Sequence, residues 1–177
     1  MAAPEVENFR PVSDVLPIER RDFPVADKTL TDPSNAVVLV DGEWMTLTTG
    51  YKLARATNVA AAGDPAAAKL CWPLWAERGR FDVQAMADRK TPILWMGQWE
   101  FESLIFDAAA VVGAGAAISA LLQPVKVATI TIGSRNYSGL VGHGGVGVDS
   151  ARIVGYVTKL HTDNGGFLRI RGGGAGF

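Results

Sequence analysis

Cysteine is almost missing from this chain. Cys71 is the single one among 177 residues, so no intrachain disulfide can form and the fold must rest on its core or on subunit contacts. Histidine is scarce as well. His143 and His161 lie far apart in sequence and, with Cys71, have no metal-ligand spacing. Neither sign of charge dominates: the formal net charge of −1 removes the global basic field expected of a nucleic-acid partner. Long apolar runs are also lacking. The longest nearly uncharged stretch, 108–123, is mostly Ala, Gly and Val and falls short of the roughly 20 residues a membrane helix needs. Met1 to Glu5 has neither the basic patch nor the apolar run of a signal peptide. The expectation is a chain with no cofactor, no metal, no nucleic acid and no membrane segment.

What is plentiful is glycine, 20 residues where an average composition of about 7% would give fewer. They have no three-residue period, so a collagen helix is excluded. Gly142-His143-Gly144-Gly145-Val146-Gly147 matches the dinucleotide-binding fingerprint by letter. That chemistry needs the glycines to open a helix whose N-terminus receives a pyrophosphate. Val148-Asp149-Ser150 and a β-branched run follow instead, so a glycine loop between strands is expected. Val111 to Ile118 is a second decoy, because Ile118 occupies the position of the third, small residue. Ser138 near His143 is the one local pairing of nucleophile and base, and no nucleophile elbow surrounds it.

The chain divides into an extended N-terminal arm, 1–35, and a β-rich body, 36–177. Five of nine prolines (Pro4, Pro11, Pro17, Pro24, Pro33) punctuate the arm, which carries seven acids against four bases. Proline breaks helices and lacks a ladder donor. The arm's apolar residues are too many for an inert tail, so it is expected to order on its own body, on a neighbouring subunit or on a larger surface. In the body, Ala36 to Val40, the Asp41-Gly42 turn and Glu43 to Thr48 read as a hairpin. Further strands are expected at 69–72, 79–84, 92–96, 99–106, 125–132, 135–141, 151–157 and 167–171, with a turn at 163–166. Residues 54–69 read as a loop, and 108–123 as either helix or loop. Glu100 and Glu102, two apart on a strand, share one face, expected to be exposed.

Charge is regional. Residues 124–177 hold six bases and two acids, whereas 1–123 hold eleven bases and sixteen acids. Either these are solvated strand faces or the basic back docks on an acidic surface or another subunit.

The second half resembles the head decoration (cement) proteins of tailed bacteriophages. The residues that carry the likeness are Pro92-Ile93-Leu94-Trp95, Trp99 to Asp107, Pro124-Val125-Lys126-Val127, Ile153 to Lys159, the Asn164-Gly165-Gly166 turn and Phe167 to Arg171. They span roughly residues 90–171. The resemblance implies a mainly β fold, a β-barrel or β-tulip body with little helix, commonly homotrimeric. It implies binding to the major capsid protein on the outer face of the phage head, hence a place in the virion after synthesis in the host cytoplasm. No catalytic residues come with it, so no enzymatic activity is expected. The candidate contacts with the capsid or between subunits are Phe9, Val12, Leu16, Ile18 and Phe23 in the arm, and Arg152, Arg169 and Arg171 near the C-terminus. Two alternatives stand beside this reading. One is a self-assembling capsid, tail or baseplate protein; the other is a ligand-binding or enzymatic β-barrel using the aromatic cluster and the His143 loop.

Overall fold

The structure, a computed structural model, describes residues 9–12, 19–27, 39–48, 50–56, 71–74, 91–96, 98–111, 115–144 and 153–173. Among them it is almost wholly β, with one 3-10 turn at His161–Asp163 and no α-helix. The strands are β1 (Phe9–Pro11), β2 (Glu19–Phe23), β3 (Trp44–Leu47), β4 (Leu53–Arg55), β5 (Cys71–Pro73), β6 (Thr91–Met96), β7 (Gln98–Ser103), β8 (Phe106–Asp107), β9 (Pro124–Ile132), β10 (Arg135–Gly142), β11 (Gly155–Lys159) and β12 (Leu168–Gly173).

Seven of these form a sheet in the order β1-β7-β12-β11-β9-β10-β8. Every pairing is antiparallel except β8 with β10. Its centre follows from period-two alternation. Phe101 on β7, Leu168 and Ile170 on β12, Val157 on β11 and Val125 on β9 all point to one face and are buried in a single core with Phe9. The β9–β10 hairpin closes through a two-residue loop, with Gly133 at φ +64° in its first position. Glycine takes that left-handed conformation without the Cβ penalty. Among the described residues the sheet is open, with β1 and β8 at its edges, and no ladder closes it into a barrel.

A smaller sheet, β4-β3-β5, lies against this core. Trp44 of β3 is fully buried, with its ring centroid 6.0 Å from that of Phe101. The expected hairpin of 36–48 is made only at its turn. Glu43 N–H donates to Val40 O at 3.2 Å across Asp41-Gly42, but β3 pairs with β4 and β5. Residues 36–38 lie outside the described residues. Leu39 and Val40 join no ladder, because the Val40 N–H is taken by the Glu43 carboxylate and Leu39 packs into a second core with Met45, Leu53, Trp72 and Leu74. The hairpin that does form, β3–β4, turns at Thr48 to Tyr51 with Tyr51 at φ 55°.

The expected strand at 99–106 is split. Ser103 Oγ accepts the Ile105 N–H at 3.0 Å, and the short β8 leaves in a new direction to pair with β10. Segment 115–123 is neither helix nor strand. It lies across the end of β10, where Gly115 bridges to His143 and Ala116 N–H donates to Gly142 O. The approach is close enough that a Cβ on Gly142 would sit 1.9 Å from Ala116 O. Gly142→Ala is therefore expected to cost about 1–3 kcal/mol through overpacking, read as a lower denaturant midpoint at unchanged m-value. The expected strand at 79–84 and the loop at 145–150 lie outside the described residues.

The two N-terminal strands pair with two strands that follow each other in sequence. β1 pairs antiparallel with β7, and β2 pairs antiparallel with β6 in a two-stranded sheet. Residues 9–11 pair with 103–101 and residues 19–23 with 96–91, so the order of the two N-terminal strands is the reverse of that of their partners.

Candidate functional site

The faces of β1, β7 and β12 set the site. Phe9, Phe101, Leu168 and Ile170 point into the core, so the residues between them, Arg10, Glu100, Glu102, Arg169 and Arg171, take the opposite face. Register then aligns charge. Arg10 and Arg169 both sit opposite Glu102, one on each side, and Arg171 sits opposite Glu100. The acidic front of the chain and its basic back thus meet within one sheet.

Glu102 is the hub. It is only 2% exposed, although the sequence suggested an exposed strand face. Arg169 donates from Nε at 2.9 Å and from Nη2 at 2.6 Å to Oε1, and Asn164 Nδ2 donates to the same oxygen at 2.7 Å. Arg10 Nε donates to Oε2 at 2.5 Å. The Arg10 guanidinium also lies over the Phe167 ring, 4.5 Å from its centroid, in cation–π geometry. Asn164 is positioned by the turn that follows the 3-10 segment, where Gly165 and Gly166 have φ of +61° and +93°. Beside the hub, Thr158 Oγ1 donates to Glu100 Oε1 at 2.6 Å.

Burial on its own would raise the Glu102 pKa. The hydrogen bonds from Asn164, Arg169 and Arg10 and the Arg10 charge outweigh it and hold the carboxyl at about 2, below its ordinary 4.5. A carboxyl lowered on folding contributes stability that is present above pH 4.5 and is lost as pH falls toward 2. Glu102→Gln is expected to lower unfolding stability at neutral pH by roughly 2–3 kcal/mol, the arginines being partly exposed. The gap between wild type and variant should narrow between pH 4.5 and 2. Urea titrations across that range check it, and a gap that stays constant would refute the assignment.

A second buried carboxylate joins the two larger sheets. Glu43 is 0% exposed. It accepts from Arg55 Nε at 2.7 Å and Nη2 at 2.9 Å, from Val40 N–H at 3.1 Å and, across to β10, from Ser138 N–H at 3.2 Å. Ser138 Oγ donates to Ala56 O at 2.5 Å. The Ser138 hydroxyl is therefore committed to the sheet junction rather than to His143.

The candidate contact residues fall into different surroundings. Phe9 is in the core, 1% exposed, with its ring centroid 4.4 Å from that of Phe101. Phe23 is half-buried against the Met45–Trp72 core. Val12 and Arg171 are exposed on the outer side, and Arg169 is held by Glu102. Leu16, Ile18 and Arg152 lie outside the described residues. The sheet thus brings Phe9, Val12, Arg169 and Arg171 to one edge region. Sequence reasoning missed Arg10, Asn164 and Glu43. For Arg10 a signal existed: it is the one base flanked by Phe9 and Pro11 within an alternating stretch.

Other reactive types are occupied or quiet. Burial pushes the Cys71 thiol up to about 12, which leaves almost no thiolate to act as nucleophile or ligand. His143 is 2% exposed at the end of β10, and the His161 ring lies tilted at 53° to that of Phe106, with centroids 5.2 Å apart. No group of three or more His, Cys, Asp or Glu fit for a metal ion occurs among the described residues. Comparison with protein-family models, with curated proteins and with solved structures finds no match to this chain.

Proposed function

We propose that this chain is a viral structural protein, a decoration or cement protein that binds the outer surface of a phage head and stabilises the lattice of the major capsid protein. The reading assigns it no catalytic step. In it the body belongs to the β-barrel or β-tulip class, three copies assemble, and each copy spans neighbouring capsid subunits. The observation that supports it most is the pairing of the two N-terminal strands, β1 at the edge of the large sheet beside β7 and β2 beside β6. Main-chain pairing at a sheet edge is a recurrent means of joining one chain to another, and it covers an edge that would otherwise be open. The exposed side of that region carries Val12 and Arg171, an apolar and a cationic contact. Several such weak contacts, multiplied by trimer avidity, suffice to clamp a lattice, and a ligand that binds only the assembled shell stabilises it by mass action.

The test uses the full chain and mature phage heads stripped of decoration. Saturable binding to the outer surface and a higher temperature of DNA release are expected. Removing residues 1–30 would also remove Phe9 from the core, so the sharper variant is Val12→Asp/Arg171→Glu, altered at exposed positions. It should fold and bind about tenfold more weakly, equivalent to roughly 1.4 kcal/mol. Heads that neither bind the protein nor gain stability would sink the reading. A protein that instead polymerises alone into rings or tubes would favour the self-assembling alternative.

A further inference from the structure

Asn164 is the one asparagine of the chain that is followed by glycine. The pair is chemically labile, because glycine puts no Cβ between the asparagine side chain and the next backbone nitrogen. Its surroundings leave that nitrogen available. Gly165 is exposed at φ +61°, and a Cβ placed on it would meet nothing within 4 Å. In this turn Asn164 N–H and Gly166 N–H both donate to His161 O, and Phe167 N–H donates to Asn164 O. Among the described residues the Gly165 N–H makes no such bond. The other reactant is held in place. Asn164 Nδ2 donates to Glu102 Oε1 at 2.7 Å and to Phe167 O at 3.1 Å. With Asn164 ψ at 34°, the peptide that follows must turn before its nitrogen can reach the Asn164 Cγ.

We infer that Asn164 is a site of spontaneous deamidation, gated by the Glu102 hub, and that the product unlatches β1. The Gly165 nitrogen attacks Asn164 Cγ and forms an N–Cγ bond. The Cγ–Nδ2 bond breaks, and Nδ2 leaves as ammonia with its own hydrogens and the proton lost from the Gly165 nitrogen. A water molecule then opens the cyclic imide. Cleavage on one side gives aspartate in the original backbone. Cleavage on the other gives isoaspartate, with the chain continuing through the former side chain. Solvent water is the only co-reactant, and nothing is oxidised or reduced. The bonds on Nδ2 hold the amide away from attack, so the reaction proceeds from a locally opened turn.

The product cannot restore the original contacts. An aspartate carboxylate only accepts hydrogen bonds. It would face two other acceptors, Glu102 Oε1 and Phe167 O, the first of them a carboxylate at hydrogen-bonding distance. Like charges that close repel, and the new one also competes for Arg169. Isoaspartate in addition lengthens the backbone between the N–H and C=O of residue 164, which both bond within the turn. The disturbance reaches β1 through one residue. Arg10 donates to Glu102 Oε2 and lies over the Phe167 ring, so it touches both residues that Asn164 Nδ2 holds. Phe9 stays in the core, so the result is a looser edge strand and an intact body. Because ammonia departs, the change runs one way. The inference goes beyond the capsid reading and does not depend on it.

The experiment incubates the folded full chain in mildly alkaline buffer made with heavy-oxygen water and maps its peptides by mass spectrometry over time. Heavy oxygen at residue 164 marks passage through the imide. Asn136, followed by Tyr137, is the internal comparison. Asn164 is expected to react about tenfold faster than Asn136, and about tenfold faster again in Glu102→Gln, whose hub opens more often. Arg10→Ala, at an exposed residue, repeats the test if Glu102→Gln does not fold. Gly142→Ala, destabilised away from the hub, should keep the wild-type rate. Asn164→Asp supplies a product directly. In it the Val12 N–H, which donates to Glu100 O at 2.9 Å, should exchange about tenfold faster while β9 stays protected. An Asn164 left intact while the urea-unfolded chain is converted would overturn the site. Equal rates in wild type and the hub variants, or equal acceleration in Gly142→Ala, would overturn the gate. Wild-type exchange at Val12 in Asn164→Asp would overturn the unlatching of β1.

Discussion

Phe9→Ala is expected to lower unfolding stability by roughly 3–5 kcal/mol, the range for removing a buried aromatic from a core. The side chain is 1% exposed, packs on Phe101 and stands beside the Asp41-Gly42 turn. A Cβ built on Gly42 would lie 3.1 Å from the Phe9 Cβ, so the turn and the strand are fitted to each other, and Gly42 takes φ +87° to make the fit. Truncation to Ala would leave a cavity under both. The same variant should free β1 locally. Amide exchange at residues 9–12 is expected to approach unfolded-chain rates while β9 and β10 stay protected. Val12→Ala, on the exposed side of the same segment, should change stability by less than about 0.5 kcal/mol. A Phe9→Ala loss below about 1 kcal/mol would mean that this residue belongs to a detachable tail, and the picture of β1 as part of the body would fail.

Glu43→Ala is expected to be of similar size, about 3–5 kcal/mol, for a different reason. The carboxylate is fully buried and receives two bonds from Arg55 and one each from the Val40 and Ser138 amides. Deleting it removes the acceptor for all four donors and leaves a guanidinium in a largely buried place without its carboxylate, which is the costly way to break such a pair. Glu43→Gln keeps the shape and one acceptor oxygen, so its loss should be smaller. A double-mutant cycle with Arg55→Met should return a coupling of about 1–3 kcal/mol. Guanidinium titrations followed by tryptophan fluorescence measure all of these, because Trp44 lies next to the junction. Additive single effects would show that Glu43 and Arg55 do not stabilise each other.

The periodic strands were open to reading. Alternation identified β7 and β12, the strongly β character of the C-terminal third placed β9 and β10, and the turn cluster before Phe167 lies between β11 and β12 as expected. Alternation also put Glu100 and Glu102 on one face, which the register bears out. The burial of Glu102 was not open to reading. A polar residue every second position marks the face away from the core, but arginines from strands distant in sequence shield that face here. The Asp41-Gly42 pair signalled a turn correctly and a hairpin incorrectly, because turn chemistry is local while the choice of β4 and β5 as partners of β3 depends on where Trp44 must go. The arm posed the opposite difficulty. Its proline spacing pointed to extended chain, which β1 and β2 are, yet no spacing rule could tell a Phe that plugs its own core from one that reaches a neighbour. For segment 108–123, small residues left helix and loop equally open; in the described stretch 115–123, the Gln123 side chain bonds the loop backbone at Ala117, Ser119 and Ala120.

The Glu102 hub also bears on how fast the molecule can assemble. Arg10 precedes its partner by 92 residues and Arg169 follows it by 67. β7 thus gains its two neighbours from opposite ends of the described chain, and neither contact can form until a very long loop has closed. Loop entropy must be met before these pairings contribute anything, which places such topologies among the slow folders, on the millisecond-to-second scale. Until then Phe9 and the edges of β7 remain open to other strands. The final docking of β1 is consequently expected to be a late event, so Arg10→Ala should speed unfolding far more than it slows folding.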